Sequence, residues 1–330
     1  MSLFLALFAL SGTFLDTVQG TLEMMQFKNF IAQFNKTYAS NEEFKHRFLI
    51  FQRNMEEAKH LQREERGTAQ YGVTKFSDLT DEEFLRCRLD HRAYFESQSF
   101  LRQVTEKDAP LKTCDWRKKG VISAAKNQGS CCSCWAFAAV GNIEAQWGIQ
   151  GTAKNLSVQQ LVDCCKSTCG CKGGYPWNAF MTVIKLGGLT GEDKYKYTGK
   201  KGTCKNNLKP EATIQDLVIL ERNETVICSH VSYKGTVTVA INQALLKQYI
   251  KGVIDPRPEN CHHHKVDHVV LIVGFSRERK YWILKNSWGD NWGEKGFFRL
   301  RLGSNACGIA EYPVSAIVNT GTFKRHLCPP

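Results

Sequence analysis

The sequence predicts an α+β fold, because helical patterns occupy the early part of the chain and strand patterns the late part. Residues 23–106 place charged and apolar residues at helical spacing. The stretch SCWAFAAVGNIEAQWGI, residues 133–149, is rich in small residues and predicts a buried helix. Four later stretches have the β-branched and aromatic content of strands: TVTVAI, VDHVVLIVGF, KYWILKNSW and KGFFRLRL. We therefore expect two packed lobes, preceded by a separate helical segment.

The composition fits ordinary globular domains and excludes a fibrous or disordered chain. The 330 residues are 42% hydrophobic and 23% charged. Residues 109–330 carry 30 basic against 16 acidic side chains, a net charge of +14. This charge would suit acidic partners such as glycosaminoglycans, or solubility in an acidic compartment, and we favour the second. The sequence contains no nucleic-acid-binding motif, so nucleic acid is not expected as a partner.

The N-terminus has the features of a secretory signal peptide. The apolar run from Leu3 to Leu10 is too short to span a bilayer, and Gly20 follows Val18 at signal-peptidase spacing. We expect a signal peptide over residues 1–20 and no membrane span after it, with a buried N-terminal helix as the alternative. Acceptor sequons for N-glycosylation, which fit a lumenal protein, begin at Asn35, Asn155 and Asn223.

Residues 21–108 form the separate helical segment. Six of its residues, spaced by three or four, share one face of a helix of about five turns: Glu43, Arg47, Phe51, Asn54, Ala58 and Gln62. Glu43 and Arg47 can pair on that face, and Thr80 with Glu83 predicts a capping box at a later helix start. The stretch VTEKDAPLKTCDWR has the charge and the proline of an exposed, cleavable linker.

One cysteine has the setting of a nucleophile. Cys134 falls in the first turn of the predicted helix, where unpaired N–H groups favour the thiolate. His268 is a polar ring at the head of a strongly apolar strand, and it can hold the thiol proton as imidazolium. Asn286 could orient that ring while Trp288 shields their hydrogen bond from water. The Gln128 amide could stabilise an oxyanion. Together these residue types predict nucleophilic catalysis.

The motifs that carry this chemistry resemble those of the papain-type cysteine proteases. NQGSCCSCWAF, CKGGYPW, VDHVVLIVGF and KNSWGDNWGEKGFFRLRLGSNACGI are similar to that family over nearly all of residues 111–315. The resemblance implies an endopeptidase with a papain-like two-lobed fold, a helical left lobe and a β-barrel-like right lobe. It implies that Cys134 is the nucleophile, His268 the acid/base and Asn286 the orienting residue, with Gln128 in the oxyanion hole. It also implies a strongly lowered thiol pKa, through pairing with the imidazole.

The resemblance also assigns substrate contacts and partners. Gly173 and Gly174 would pair with an extended substrate backbone, which needs close approach without a Cβ. The residues that would line the cleft and the pocket for the side chain two places before the cut are Tyr175, Pro176, Val269 and Trp288. The implied partners are peptide or protein substrates, the chain's own propeptide and cystatin-type inhibitors. The resemblance implies no cofactor and no metal, and a monomer.

Fourteen cysteines favour disulfides in an oxidising compartment. The resemblance implies three pairs: Cys131–Cys171, Cys164–Cys204 and Cys261–Cys307. Cys132 stands where the family usually has Gly, beside the primary substrate pocket, and a Cys132–Cys134 disulfide could silence the nucleophile. We expect Cys87 to stay free or to pair only transiently, and a local Cys165–Cys169 bond is plausible. The remaining cysteines have no assignable partner: Cys114, Cys228 and Cys328.

Residues 21–108 resemble the propeptides of the cathepsin F and W branch of this family. Ala58, Gln62 and the stretch GVTKFSD are similar to that branch, and the tail NTGTFKRHLCPP resembles its cathepsin W members. The resemblance implies a zymogen in which residues 21–108 are an inhibitory propeptide that crosses the cleft in the direction opposite to substrate. Residues 109–330 would be the mature peptidase, ending in a short extension over residues 319–330. Acid would loosen the propeptide by protonating its carboxylates, and the compartment would be the lysosome or the endoplasmic reticulum.

Other readings of the same residues stay open. Because of Cys132, the chain could be a catalytically weak or inactive papain-fold binding protein. Cys132 with Cys134 could instead serve a thiol–disulfide oxidoreductase, although redox motifs normally separate their cysteines by two residues. The four cysteines between residues 164 and 171 could bind zinc, but they lack paired CxxC units. The three histidines of residues 262–264 could bind a metal or sense pH, but a solvated loop is the simpler interpretation.

Overall fold

The structure is a computed structural model of the chain. The predicted signal peptide falls almost entirely outside the described residues, as does most of the predicted C-terminal extension. The described residues are 20–87, 103–105, 108–166, 169–205, 207–318 and 326–330.

Two helices and an aromatic cluster form the core of the N-terminal segment. Helix α1 covers residues 20–34 and helix α2 covers Asn41–Glu64. Ser40 caps α2, since its side chain accepts a hydrogen bond from the Glu43 amide. The two helices pack through fully buried aromatic rings, namely Phe27, Phe30 and Phe51. The predicted helix face is present in α2, where Phe51, Asn54 and Ala58 are buried.

Residues 65–80, after α2, are not helical, which differs from the helical expectation for residues 23–106. Strand β1 (Gln70–Tyr71) pairs with β6 (Tyr249–Lys251) of the later chain. The short helix α3 (Asp81–Phe84) follows, and it has the predicted capping box between Thr80 and Glu83. Residues 65–80 are not helical because part of their backbone bonds to residues 248–253 of the later chain, and a local pattern does not contain that partner.

Four helices belong to the remainder of the chain. Helix α4 (Cys134–Ile149) packs against helices α5 (Val158–Cys164) and α6 (Pro176–Leu186) and against strand β8 (His268–Ser276). Its sides are buried almost all round, as the small-residue pattern predicts. The bounds of these helices are Cys134–Ile149 for α4, Val158–Cys164 for α5, Pro176–Leu186 for α6 and Glu224–Tyr233 for α7.

A nine-stranded sheet organises the other lobe. Its order is β2-β4-β11-β5-β8-β9-β10-β7, and β3 pairs with β8. The four stretches predicted as strands lie in β5, β8, β9 and β10. The strand bounds are β2 Gln103–Val104, β3 Thr113–Asp115, β4 Asp216–Leu220, β5 Val237–Ile241, β7 Val253–Ile254, β8 His268–Ser276, β9 Tyr281–Lys285, β10 Phe297–Arg301 and β11 Val314–Ile317.

Two hydrophobic cores lie on either side of the α4–β8 contact. One is built on α4, α5 and α6, and the other on α7 and strands β5 and β8–β10. This division confirms the predicted α+β fold with two lobes. Strand β3 is joined to the last residues of the chain on the second core. Cys114 of β3 forms a disulfide with Cys328, and the Asp115 amide donates to the Pro329 carbonyl at 2.8 Å.

Candidate active site

Cys134 is the first residue of α4. Ser133 occupies the N-cap position, so the thiol sits among N–H groups that have no intrahelical acceptor. Cys134 is only 1% exposed, and the backbone N–H groups of Val269 and Trp135 act on its sulfur by hydrogen bonding that favours the thiolate. Val269 follows His268 in β8, so the packing of α4 on β8 brings the thiol to the head of that strand.

His268 is held in one orientation by Asn286. Its Nε2 lies 2.8 Å from Asn286 Oδ1, which also accepts the Ser287 backbone N–H at 2.8 Å. Because a carbonyl oxygen can only accept, Nε2 carries the hydrogen and Nδ1 remains available to a thiol. The Trp288 indole stacks on the imidazole with ring centroids 4.8 Å apart. The Trp288 ring thus lies over the imidazole that donates this hydrogen bond.

The pKa values of the two reacting groups depart from the expected direction. Burial raises the pKa of the Cys134 thiol to about 11 and lowers the pKa of the His268 imidazole to about 4, although the bond from Asn286 opposes the second shift. Both shifts favour neutral partners, whereas the sequence led us to expect a lowered thiol pKa. The physical reason is that burial away from water penalises each charge, and both side chains are 1% exposed here.

Gln128 lines the same cavity as His268, and three hydrogen bonds hold it in place. Its backbone N–H donates to the Ser287 carbonyl at 2.8 Å, and its Oε1 accepts from the Ser287 hydroxyl at 2.6 Å. Its Nε2 donates to the Cys131 carbonyl at 3.1 Å. These bonds hold the amide in place, and the second hydrogen of Nε2 is the one that could face an oxyanion.

The predicted substrate-binding residues other than Trp288 lie in two places: residues 173–176 lead into α6, and Val269 is the second residue of β8. Gly173 has a φ of +119°, and a Cβ on Gly174 would come within 2.7 Å of the Trp135 ring, so these positions need glycine. Tyr175 and Pro176 form the N-terminus of α6 and are buried. Val269, which is also buried, joins Tyr175 and Cys134 in one apolar core. The structure thus packs Tyr175 and Val269 into the same core as Cys134, with Gly174 against the Trp135 ring.

The N-terminal segment covers the site at Trp288. Phe76 and Phe84 make edge-to-face contacts with the Trp288 ring at 5.0 and 5.5 Å. The Lys75 ammonium donates to the Trp288 carbonyl. A cavity of about 420 Å³ remains between the two parts, and its lining includes His268. The N-terminal segment therefore lies on Trp288, the residue whose ring stacks on His268.

One buried lysine, Lys247, ties the covering segment down at α2 and at the start of α3. Lys247, with 3% of its side chain exposed, donates to Asn54 Oδ1 and to Glu57 Oε2, both at 2.9 Å, and pairs with Asp81. Sequence reasoning missed Lys247. A signal for it existed only in part: an isolated lysine between Leu246 and Gln248 of an apolar stretch, with no indication of its acidic partners.

The predicted Glu43–Arg47 pair is present but long, at 3.9 Å. The Arg47 guanidinium instead makes its shorter ion pair with Glu83, at 2.8 Å, and donates to the Asp78 carbonyl at 3.0 Å. This hydrogen bond to Arg47 lowers the pKa of the Glu83 carboxyl, aided by the Thr80 backbone N–H. The bond links helix α2 to α3.

Twelve of the fourteen cysteines form disulfides. The structure contains the three pairs that the resemblance implies and the local Cys165–Cys169 bond: Cys131–Cys171, Cys164–Cys204, Cys261–Cys307 and Cys165–Cys169. The four cysteines between residues 164 and 171 are thus all in disulfides, so their sulfurs are not available as zinc ligands. Cys134 and Cys228 are the two free cysteines.

Two expectations about cysteines were wrong. Cys87 does not stay free, because it forms a disulfide with Cys132. For the same reason Cys132 does not bond to Cys134. The sequence could not show this pairing, because 45 residues separate the two cysteines and only the path of the N-terminal segment across the site brings them together.

The remaining predicted features lie at the surface. The histidines of residues 262–264 are exposed in a loop, and no group of three or more potential metal ligands occurs among the described residues. Within the same residues, no helix has the length and apolar character needed to cross a membrane. The three sequon asparagines are exposed: Asn35, Asn155 and Asn223.

Comparison with known proteins finds two families along the chain. Residues 110–317 match the papain family cysteine proteases, and residues 27–84 match the cathepsin propeptide inhibitor domain (I29). Cathepsin W of Mus musculus is 42% identical over 332 residues, covering 92% of this chain and 90% of that protein. Cathepsin F of Mus musculus is 43% identical, covering 89% of this chain and 64% of that protein. The solved structure of a recombinant stem bromelain precursor superposes with a TM-score of 0.81 at 31% identity, covering 90% of this chain and 99% of that one.

Proposed function

The chain belongs to the papain family of cysteine proteases, as a cathepsin W/F-like peptidase with a propeptide, and we propose that Cys134, His268 and Asn286 carry out its peptide hydrolysis. The single observation that carries this assignment is the His268–Asn286 hydrogen bond of 2.8 Å, which lies under the Trp288 ring. His268 begins β8, the strand against which α4 packs. It leaves His268 Nδ1 free for one sulfur, and Cys134 is the free cysteine at that strand.

In the proposed reaction, Cys134 and His268 act as an ion pair. The thiolate attacks the carbonyl carbon of the scissile peptide bond, and the imidazolium gives its proton to the leaving amine, which departs as the first product. Water then attacks the thioester while His268 accepts its proton, so the acid product leaves and the thiolate–imidazolium pair is restored. Gln128, with the N–H groups of the first turn of α4, stabilises the oxyanion of both tetrahedral intermediates.

The covered state of the protein fits the role of a zymogen. The same burial that raises the pKa of Cys134 and lowers that of His268 disfavours the ion pair. Removal of the propeptide from Trp288 admits water to the site, which reduces this penalty and favours the charged, reactive form. We place this activation in the secretory lumen, in the lysosome or the endoplasmic reticulum, and we propose a monomer that can meet cystatin-type inhibitors.

The structure favours no second function. The case for an inactive binding protein rests on Cys132, and the bond from Cys132 to Cys87 offers another reason for a cysteine at that position. While it is intact, the same bond also keeps Cys132 out of a dithiol with Cys134, which is what an oxidoreductase would require.

Labelling with an epoxysuccinyl inhibitor tests the assignment. We expect the processed, reduced protein to be labelled at Cys134, with loss of the label in Cys134→Ser and a loss of about 10²–10⁴-fold in rate in His268→Ala. Cys228→Ser is the matched control, because Cys228 is the other free cysteine and lies buried in the second core. Failure of the processed wild type to label at Cys134, or an unchanged rate in His268→Ala, would contradict the proposal.

A further inference from the structure

The Cys87–Cys132 disulfide crosses from the propeptide to the protease domain. Cys87 follows α3 and lies just beyond the residues that match the propeptide inhibitor domain, whereas Cys132 lies within the match to the protease and two residues before Cys134. The predicted cleavable linker lies between these two cysteines. A peptide-bond cut there leaves two chains that are still covalently joined.

The position of the bond places it at the catalytic groups. Cys87 lines the same cavity as Gln128 and His268. Cys132 is anchored on the protease side, because its backbone N–H donates to the Cys171 carbonyl at 3.2 Å and its neighbour Cys131 is bonded to Cys171. The disulfide therefore fastens the end of the covering segment beside the nucleophile.

The other contacts of the covering segment are noncovalent, and acid weakens part of them. They include ion pairs such as Arg47–Glu83 and Lys247–Glu57, and the aromatic packing on Trp288. Protonation of carboxylates breaks the ion pairs, but it does not break a sulfur–sulfur bond. A tethered segment also rebinds from a high effective concentration, which raises its retention by about 10²–10⁴-fold over an untethered one.

We propose that Cys87 and Cys132 form a redox modification site that locks the propeptide over the active site, so that release requires both a cut in the linker and reduction of this disulfide. The inference rests on the proposed function, since it concerns access to Cys134. The chemical class of its co-reactant is a low-molecular-weight thiol or a dithiol. Acid and proteolysis alone leave the enzyme closed.

The exchange reaction balances over two thiols. A thiolate of the reductant attacks Cys87 Sγ, the half-buried sulfur of the pair, and Cys132 leaves as a thiolate that takes up a proton. A second thiolate then attacks the reductant sulfur of the mixed disulfide, and Cys87 leaves in turn. Two electrons pass to the protein, two protein thiols form, and the reductant ends as a disulfide.

Limited proteolysis of the purified precursor tests the covalent link without using catalysis. After a cut in the predicted linker VTEKDAPLKTCDWR, on the N-terminal side of its cysteine, we expect one band of full mass on a non-reducing gel and two bands on a reducing gel. Mass spectrometry of the unreduced digest should find the peptide that joins Cys87 to Cys132. Two bands without reductant, or a peptide that joins either cysteine elsewhere, would overturn the proposal.

A double variant tests the lock itself. In Cys87→Ser/Cys132→Ser the tether is absent and neither of its two cysteines is left as an unpaired thiol, so the cut protein at acid pH should expose Cys134 to iodoacetamide without added thiol. The cut wild type should label about 10²–10⁴-fold more slowly until the thiol is added. The matched control is Cys165→Ser/Cys169→Ser, which removes a disulfide that lies wholly within the protease domain and should behave as wild type.

The outcomes separate the two proposals. Equal labelling of cut wild type and tether-free variant without thiol would overturn the lock, whatever the enzyme then does. Absence of labelling in every protein after full reduction would overturn the proposed function of Cys134, whereas the gel and the peptide map would still report on the disulfide.

Discussion

At the scale of single residues, the site depends on the imidazole orientation that Asn286 imposes. Asn286 Oδ1 receives hydrogen bonds from His268 and from the Ser287 backbone, and the side chain is 3% exposed. A bond to an imidazolium is worth more than a bond to a neutral ring, so this contact supports the charged form that catalysis requires. Accordingly, this hydrogen bond raises the pKa of His268, whereas burial lowers it.

Replacing Asn286 should therefore reduce catalysis without abolishing it. For Asn286→Ala we expect kcat/KM to fall by roughly 10- to 150-fold, which corresponds to the about 1.5–3 kcal/mol of a charged hydrogen bond. The pH profile of activity should shift as well, because loss of this hydrogen bond lowers the pKa of His268. Asn207→Ala, at an exposed asparagine, is the matched control and should leave both unchanged. Peptide turnover as a function of pH measures both, and a wild-type profile in Asn286→Ala would refute the role.

At the scale of elements, helix α3 contacts the protease through the side chains at its two ends, Asp81 and Phe84. It joins three sets of contacts: Glu83 to Arg47 of α2, Asp81 to Lys247 of the protease, and Phe84 to Trp288 at the site. Its capping box uses the Glu83 carboxylate a second time, since the Thr80 backbone N–H donates to it at 2.8 Å. One carboxylate thus stabilises both the helix start and its link to α2.

Release of the propeptide should follow the titration of Glu83. Its folded-state pKa is lowered, chiefly by Arg47, so the ion pair contributes fully above the ordinary glutamate pKa of about 4.3. That contribution is lost as the pH falls through the lowered folded-state value. Glu83→Gln keeps an amide for the capping box but removes the charge at every pH, so release from the cut and reduced protein should shift to higher pH.

Release can be followed by the labelling rate of Cys134 between about pH 3 and pH 6, a range that brackets the glutamate pKa. Glu82→Gln is the matched control, because Glu82 lies on the same short helix with an exposed side chain. We expect the control to follow wild type. Identical pH midpoints for Glu83→Gln and Glu82→Gln would show that the Arg47–Glu83 pair does not govern release.

At the scale of the whole molecule, a disulfide closes the protease domain from one end to the other. Cys114 and Cys328 are separated by 214 residues, and the bond holds the last residues against β3. A cross-link over so long a segment restricts the unfolded chain strongly. The Cys165–Cys169 bond, with a separation of four, closes a far shorter loop.

The long cross-link should therefore stabilise the fold more than the short one. For Cys114→Ser/Cys328→Ser we expect Tm to fall by about 4–16 °C, from about 2–4 kcal/mol and the usual Tm response of a domain of this size. For Cys165→Ser/Cys169→Ser the fall should be clearly smaller. Thermal unfolding of the three proteins, followed by circular dichroism, measures this. An equal or reversed order would contradict the loop-length argument.

Local patterns predicted the elements that carry the reacting groups. The small-residue run after Ser133 predicted a buried helix, and the structure begins α4 at Cys134. The apolar run after His268 predicted a strand, and β8 begins at that residue. Both depend on neighbours in sequence, which is why the helix start, the strand start and the candidate nucleophile and base could be read without coordinates.

Contacts between distant parts of the chain could not be read in this way. The non-helical path of residues 65–80 depends on pairing between β1 and β6, which lie about 180 positions apart. The role of Lys247 depends on Glu57, which is 190 positions away. Such pairs leave no period in the sequence, because each partner alone looks like an ordinary surface charge or a short polar segment.

The chain by itself therefore determined the α+β class, the family motifs and the identity of the candidate catalytic side chains, since these follow from local spacing and residue chemistry. Only the tertiary structure decided which cysteine meets Cys132, what covers Trp288, and in which direction burial moves the pKa values of Cys134 and His268. The physical reason is that disulfide choice and desolvation depend on distances between segments, and those distances exist only after the propeptide has folded onto the protease.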